Sequence, residues 1–275
     1  MILKFNVYYL GSIINSREFT NNLALNDKKI YIILHGLFGR GKNWHQIAKT
    51  LSTKVSEIFI TIDLRNHGDS ISSENLTYTL MAQDIFTFIK ELNLNKVSII
   101  GHSMGGKVAM MFTLMHKNLI ENLIIVDIAP VKYLLNEKEI VDHLLEIDIE
   151  NISSRKEAET KLDKKLKNKN LTLFLLQNLI KTDASYKWLI NLKILKNSMN
   201  ELRDFPINNF IEFNRPILCI FGENSNYVTS ENRSDFRKFF PKVVFHEFQN
   251  TGHWLHAEKP KEFVEKIVNY LISNQ

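Results

Sequence analysis

The run Val97-Ser98-Ile99-Ile100-Gly101-His102-Ser103-Met104-Gly105-Gly106 constrains this chain more than any other stretch. It opens as a short β-branched segment of the kind that forms a buried strand. It closes on Gly-His-Ser-Met-Gly, which fits the G-x-S-x-G nucleophile elbow. Val108, Met111, Phe112 and Met115 then recur at helical spacing. The pattern is strand, sharp turn, helix, with Ser103 at the bend. Such a turn lifts a hydroxyl above the sheet edge, and Gly101 and Gly105 leave room where a Cβ would collide with the neighbouring chain. The backbone N–H of Met104, in the first helical turn, is expected to point at a forming oxyanion.

With 275 residues the chain can bury one large core, and α/β folds of this length are commonly a single domain. The net charge of +5 invites a nucleic-acid reading, but the lysines are scattered and no basic stripe is interleaved with aromatics, so no nucleic-acid partner is expected. The single cysteine, Cys219, lies in an apolar run and reads as a core residue. The amino terminus lacks a long apolar segment with a small-residue cleavage site, and no apolar run is long enough to span a bilayer. These features predict a soluble, cytoplasmic protein with no membrane span.

Lys4 to Leu10 alternate as an edge strand does, and Gly11-Ser12 turn the chain into a second strand. Ile30 to Leu34 is a continuous apolar run typical of a central parallel strand. It runs into His35-Gly36-Leu37-Phe38-Gly39, a loop before a helix starting near Trp44. The Leu37 N–H is the candidate second oxyanion donor, His35 an internal hydrogen-bond partner for the loop, and Trp44 its packing base. After the strand Ile58 to Asp63, the turn Arg65-Asn66-His67-Gly68 reads as scaffold, anchored by Asp63 and Arg65, with His67 satisfied locally. A metal site there is the weaker alternative, since no cluster with metal-ligand spacing accompanies it, and no metal is expected.

A helix over Thr79 to Asn93 precedes the elbow, and Leu123 to Val126 forms the strand after it, ending at Asp127. Strand patterns then vanish over about 131–209. Helical segments are expected over Ile140 to Ile147, Ser154 to Leu166, Leu171 to Ile180 and Tyr186 to Leu195, forming an all-helical lid inserted in one domain spanning 1–275. Its basic residues (Arg155, Lys156, Lys161, Lys164, Lys165, Lys167, Lys169) read as a solvated helix face, with the phosphates of a coenzyme A ester the sharper alternative. The sheet resumes at Pro216 to Phe221 and ends with Lys242 to Phe248, and Pro260 opens a closing helix. The order predicts an α/β fold, a mostly parallel sheet with helices on both faces.

A serine hydroxyl needs a base, and His253, after the last strand, follows the serine in the expected chain order. His256 reads as a lid or surface histidine. A carboxylate must fix the imidazole tautomer. In many such hydrolases it follows the strand after the lid, but there this chain carries the neutral Ser225 and Asn226. Asp127, at the end of the neighbouring strand, is the favoured acid, with Glu223 the alternative.

On these residues the chain resembles the α/β-hydrolase superfamily, and within it the bacterial acyl-CoA esterase (thioesterase) branch related to mammalian mitochondrial abhydrolase-domain proteins. The resemblance rests on HGLFG at His35 to Gly39, RNHG at Arg65 to Gly68, MAQD at Met81 to Asp84, GHSMGGK at Gly101 to Lys107, DIAPV at Asp127 to Val131 and GHWLHAEKP at Gly252 to Pro260. It implies the α/β-hydrolase fold and cofactor-free hydrolysis of a small-molecule acyl ester or acyl-CoA thioester. In that branch the acid follows the strand after the elbow helix, which supports Asp127. The match fades in the lid. The same triad elsewhere runs cofactor-free haloperoxidase or C–C bond hydrolase chemistry, and a non-catalytic ligand-binding member is the rival outside enzymes. Dehalogenases use an Asp nucleophile where this chain has Ser103.

Overall fold

Every residue of Ile30–Leu34 is buried, which a strand achieves only when both faces of its sheet are covered. Ile30, Ile32 and Leu34 join one core, and Tyr31 and Ile33 join the other. That period-2 division follows from the alternation of Cβ atoms along a strand. The structure, a computed structural model, describes residues 3–273 apart from 16–18, 21–24, 26, 135–136, 184 and 207–211.

The described elements are β1 (Phe5–Tyr9), β2 (Ser12–Ile14), β3 (Ile30–Leu34), α1 (His45–Val55), β4 (Ile58–Ile62), α2 (Tyr78–Glu91), β5 (Val97–His102), α3 (Met104–Met115) and β6 (Ile120–Val126). An insertion follows with α4 (Glu137–Leu145), α5 (Arg155–Leu166), α6 (Lys169–Leu176), β7 (Leu179–Lys181), β8 (Tyr186–Trp188) and α7 (Leu192–Arg203). The chain closes with β9 (Ile217–Gly222), α8 (Ser230–Phe239), β10 (Val243–Phe248), α9 (Leu255–Glu258) and α10 (Pro260–Ser273).

Among the described residues, eight strands form one sheet in the order β2-β1-β4-β3-β5-β6-β9-β10. Neighbours from β4 to β10 pair in parallel, while β1 is antiparallel to both β2 and β4. The strand expected at the edge, Lys4 to Leu10, is β1 and lies one place in: β2 takes the outside position, because the Gly11 turn folds it back onto β1. One face is covered by α1 and α10, whose Ile47, Leu51, Phe263, Ile267 and Leu271 pack in one cluster with Trp44, the residue before α1. Each such side chain is worth about 1.5–3 kcal/mol of burial. On the other face lie α2, α3 and the insertion. From β3 the chain steps to β4 on one side, then returns to β5 on the other. A crevice forms beyond the carboxyl ends of strands where the order reverses in this way. The loops after β3 and β5, carrying Leu37 and Ser103, flank that point.

The insertion is not all-helical. Leu179–Lys181 and Tyr186–Trp188 pair as an antiparallel hairpin, with Leu179 opposite Trp188. Leu179 and Ile180 before a short polar turn, with Tyr186 and Trp188 after it, favour a cross-strand pair over a helix, and Thr182 and Ser185 close the turn by mutual hydrogen bonds. The last helix consequently runs Leu192–Arg203 rather than starting at Tyr186. The expected lid boundary at residue 209 lies outside the described residues.

Candidate active site

Ser103 follows β5 and caps α3 with φ +52 and ψ −121. An L-residue in that region is strained, and elsewhere such strain marks functional sites. The elbow can close because Gly105 has no side chain: a Cβ there would run into the Leu34 and His35 carbonyls. The Ser103 N–H donates to the Val126 carbonyl at 3.0 Å, tying the bend to β6. Met104 is the first helical residue, so its N–H has no acceptor within the helix.

Asp127 directly follows β6, fully buried, with φ +52. Its Oδ2 accepts from His253 Nδ1–H at 2.6 Å and from the Ser225 hydroxyl at 2.5 Å, and its Oδ1 accepts from the Gly222 N–H at 3.1 Å. A carboxylate only accepts, so Nδ1 carries the proton and Nε2 is left as the basic nitrogen of His253. The Tyr227 ring stacks on His253 at 4.1 Å, and His102 Nε2–H donates to the His253 carbonyl at 2.9 Å. Glu223 is elsewhere: it is exposed, and its carboxylate takes the Asn250 N–H at 2.7 Å.

Ser103, His253, Leu37 and Met104 line one cavity of about 500 Å³ between the sheet and the insertion. Phe38, Ile140, Leu171, Phe174 and Trp254 make much of its wall apolar. Among the described residues, no group of three His, Cys, Asp or Glu is arranged to hold a metal ion.

A family model described as the alpha/beta hydrolase fold matches residues 32–260. The chain belongs to the α/β-hydrolase family. It is 35% identical over 254 residues to the sn-1-specific diacylglycerol lipase ABHD11 of Danio rerio, covering 89% of this chain and 79% of that one. It is 31% identical over 241 residues to esterase YbfF of Escherichia coli, covering 87% and 92%. A solved structure named a marine microorganism esterase superposes with a TM-score of 0.87 at 36% identity, covering 97% of this chain and 98% of that one.

The other singled-out residues of this α/β hydrolase are scaffold. His35 donates from Nδ1 to the Gly36 carbonyl (2.8 Å) and accepts the Leu64 N–H at Nε2 (3.0 Å), and burial pulls its pKa down to about 4. His67 donates from Nδ1 to the Arg65 carbonyl at 3.0 Å, and burial takes its pKa to about 3. Arg65 forms a bidentate pair with Asp84 at 2.6 and 2.7 Å, which gives the Asp of the MAQD motif its role. Asp63 accepts the Gly41 and Asp69 N–H groups and so anchors the turn as expected. His256 is neither on a lid nor at the surface. It is buried and stacks on Trp44 with centroids 4.2 Å apart, because the indole under the loop supplies a flat apolar partner.

Sequence reasoning missed Ser225, His102 and Lys107 as partners of the site. The signal for Ser225 was its place, a neutral residue where an acid is common. Lys107 is 1% exposed, and its ammonium donates to the carbonyls of Val131, Arg203 and Asp204 at 2.8, 2.8 and 2.9 Å. No described helix is long and apolar enough to cross a membrane.

Proposed function

We propose that this α/β hydrolase is a serine esterase in which Ser103 is the nucleophile, His253 the general base and Asp127 the acid that orients it. The observation that carries this reading is the 2.6 Å His253–Asp127 hydrogen bond at the cavity that Ser103 lines. Ser103 Oγ attacks the ester carbonyl carbon while His253 Nε2 takes the hydroxyl proton. The negative oxygen of the tetrahedral adduct rests on the N–H groups of Leu37 and Met104. His253 then returns the proton to the departing alcohol, leaving an acyl-Ser103 enzyme. Water, deprotonated by the same imidazole, releases the carboxylic acid. The insertion, expected over about 131–209, serves as the lid over this chemistry.

Apolar walls suit an acyl chain, and the esterase and lipase names of the relatives support carboxylic esters, including acylglycerols, as the substrate class. A thioester would follow the same steps. Coenzyme A phosphates find little support in the basic stretch: Lys156 and Lys169 pair with Glu159, Lys161 with Glu157 and Lys165 with Glu146. Ser103→Ala is expected to abolish p-nitrophenyl ester turnover and labelling by a fluorophosphonate. Undiminished labelling of that variant would overturn the assignment. Matched oxygen esters and acyl-CoAs of equal chain length, compared by kcat/KM, test the substrate class.

A further inference from the structure

Asn178 belongs to the insertion, between α6 and β7, and is 2% exposed. Its side-chain Nδ2 donates to the Phe38 carbonyl at 2.7 Å and to the Leu175 carbonyl at 3.3 Å. With two carbonyls on that side, the amide nitrogen and not its oxygen must face them. Its backbone is held as well: its N–H donates to the Leu175 carbonyl, and its carbonyl takes the Leu189 N–H. The neighbouring Gln177 accepts from Asn43 Nδ2. Two consecutive insertion residues thus grip the loop after β3.

That loop needs a grip. The Gly39 N–H donates to the Gly36 carbonyl at 2.9 Å, closing a tight turn through Leu37 and Phe38. Phe38 sits there with φ +62, a left-handed conformation that a bulky side chain rarely adopts. Relaxation of Phe38 to a negative φ, with the Phe38–Gly39 peptide moving along, would reshape the turn that carries the Leu37 N–H. It would also draw the Phe38 carbonyl off the buried Asn178 amide, leaving Nδ2 only the longer 3.3 Å bond to the Leu175 carbonyl.

We propose that Asn178 is a positioning residue, holding the Gly36–Gly39 turn in the form that presents the Leu37 N–H to the cavity beside Ser103. This rests on the oxyanion role proposed above for Leu37. The insertion then does more than cover the site: it finishes the oxyanion loop, so hydrolysis depends on a contact made from outside the sheet.

The test uses the full chain with a p-nitrophenyl ester and a trifluoromethyl ketone, which captures Ser103 as a tetrahedral oxyanion. Asn178→Ala and Asn178→Asp are expected to lower kcat about 10–100-fold, with KM changed less than about threefold, and to weaken ketone binding by a matching factor. In a Phe38→Gly background, where the turn is unstrained, adding Asn178→Ala should cost markedly less. Parent-like kcat and ketone affinity in both Asn178 variants would overturn the inference, as would equal losses in the two backgrounds. Unfolding of both variants, seen by circular dichroism, would also overturn it and make Asn178 a folding residue. An inactive parent protein defeats the esterase reading itself; an active parent with parent-like Asn178 variants defeats this inference alone.

Discussion

Asp127 accepts three hydrogen bonds on two oxygens while wholly buried, from His253, Ser225 and Gly222. A buried carboxylate is tolerable only with partners of that number. Asp127→Asn puts an amide where the imidazole N–H must be received, and it can force the wrong tautomer. Its kcat is expected to fall by about 10³–10⁴-fold, whereas Glu223→Gln, altering an exposed side chain, should leave kcat near the parent value. Steady-state kinetics on the two variants decides between them, and a collapse confined to Glu223→Gln would refute the placement. Ser103 and Asp127 stand out in the sequence because each directly follows a strand and opens a turn with few possible geometries, and His253 stands out by its chain order in the loop beyond β10. Ser225 was legible as a position but not as a partner, since nothing in a neutral side chain announces that it will donate to an acid from the adjacent strand. His256 was misread because its surroundings come from Trp44, far away in the chain.

Helix α3 shows what element-level reasoning reads and what it omits. Its start, its apolar face and its glycine approach to β3 follow from residues 101–115 alone. The fate of Lys107 does not, because its three acceptors come from Val131 at one stem of the insertion and from Arg203 and Asp204 at the other. Three N–H bonds of an ammonium meet three carbonyls, with the Tyr133 ring 4.8 Å away. Burial draws the lysine pKa down to about 7, with Asp204 and Glu137 pulling the other way. Lys107→Met removes all three donors and leaves three part-buried carbonyls without them, at about 1–3 kcal/mol for each one left unsatisfied. Urea denaturation should therefore show a loss of at least about 3 kcal/mol, only partly restored by Lys107→Arg, whose planar fork does not match a three-way site. A loss of under about 1 kcal/mol, the scale of one ordinary hydrogen bond, would show that the stems hold without the lysine. The β7–β8 hairpin escaped the sequence for a related reason. Its strands are too short for periodicity to register, and the chain leaving it is pinned by long-range bonds, the Leu189 N–H to the Asn178 carbonyl and the Asn191 N–H to the Asn66 carbonyl.

For the whole molecule, the buried histidines set a limit on acid tolerance. Burial lowers the pKa of His35 to about 4, of His67 to about 3 and of His256 to about 3, and it holds His102 well below its ordinary value, helped by the neighbouring His256 and His253. In the unfolded chain these groups titrate near the ordinary value of about 6.5. Below that pH the unfolded chain binds protons that the folded protein refuses, so stability falls as pH falls. The contribution of each histidine is intact above pH 6.5 and is lost as pH drops toward 3–4, at up to about 1.4 kcal/mol per pH unit. Four groups acting together reach about 5 kcal/mol per unit at the steepest, which would exhaust a stability of about 5–15 kcal/mol before the folded-state values are reached. Urea midpoints measured at pH 7.5, 6.0 and 5.0 should therefore decline with increasing steepness. His256→Phe, which keeps an aromatic face against Trp44, should flatten that decline by one proton. Midpoints unchanged between pH 7.5 and 5.0 would mean that these imidazoles protonate in place, with water reaching the layer between Trp44 and the elbow.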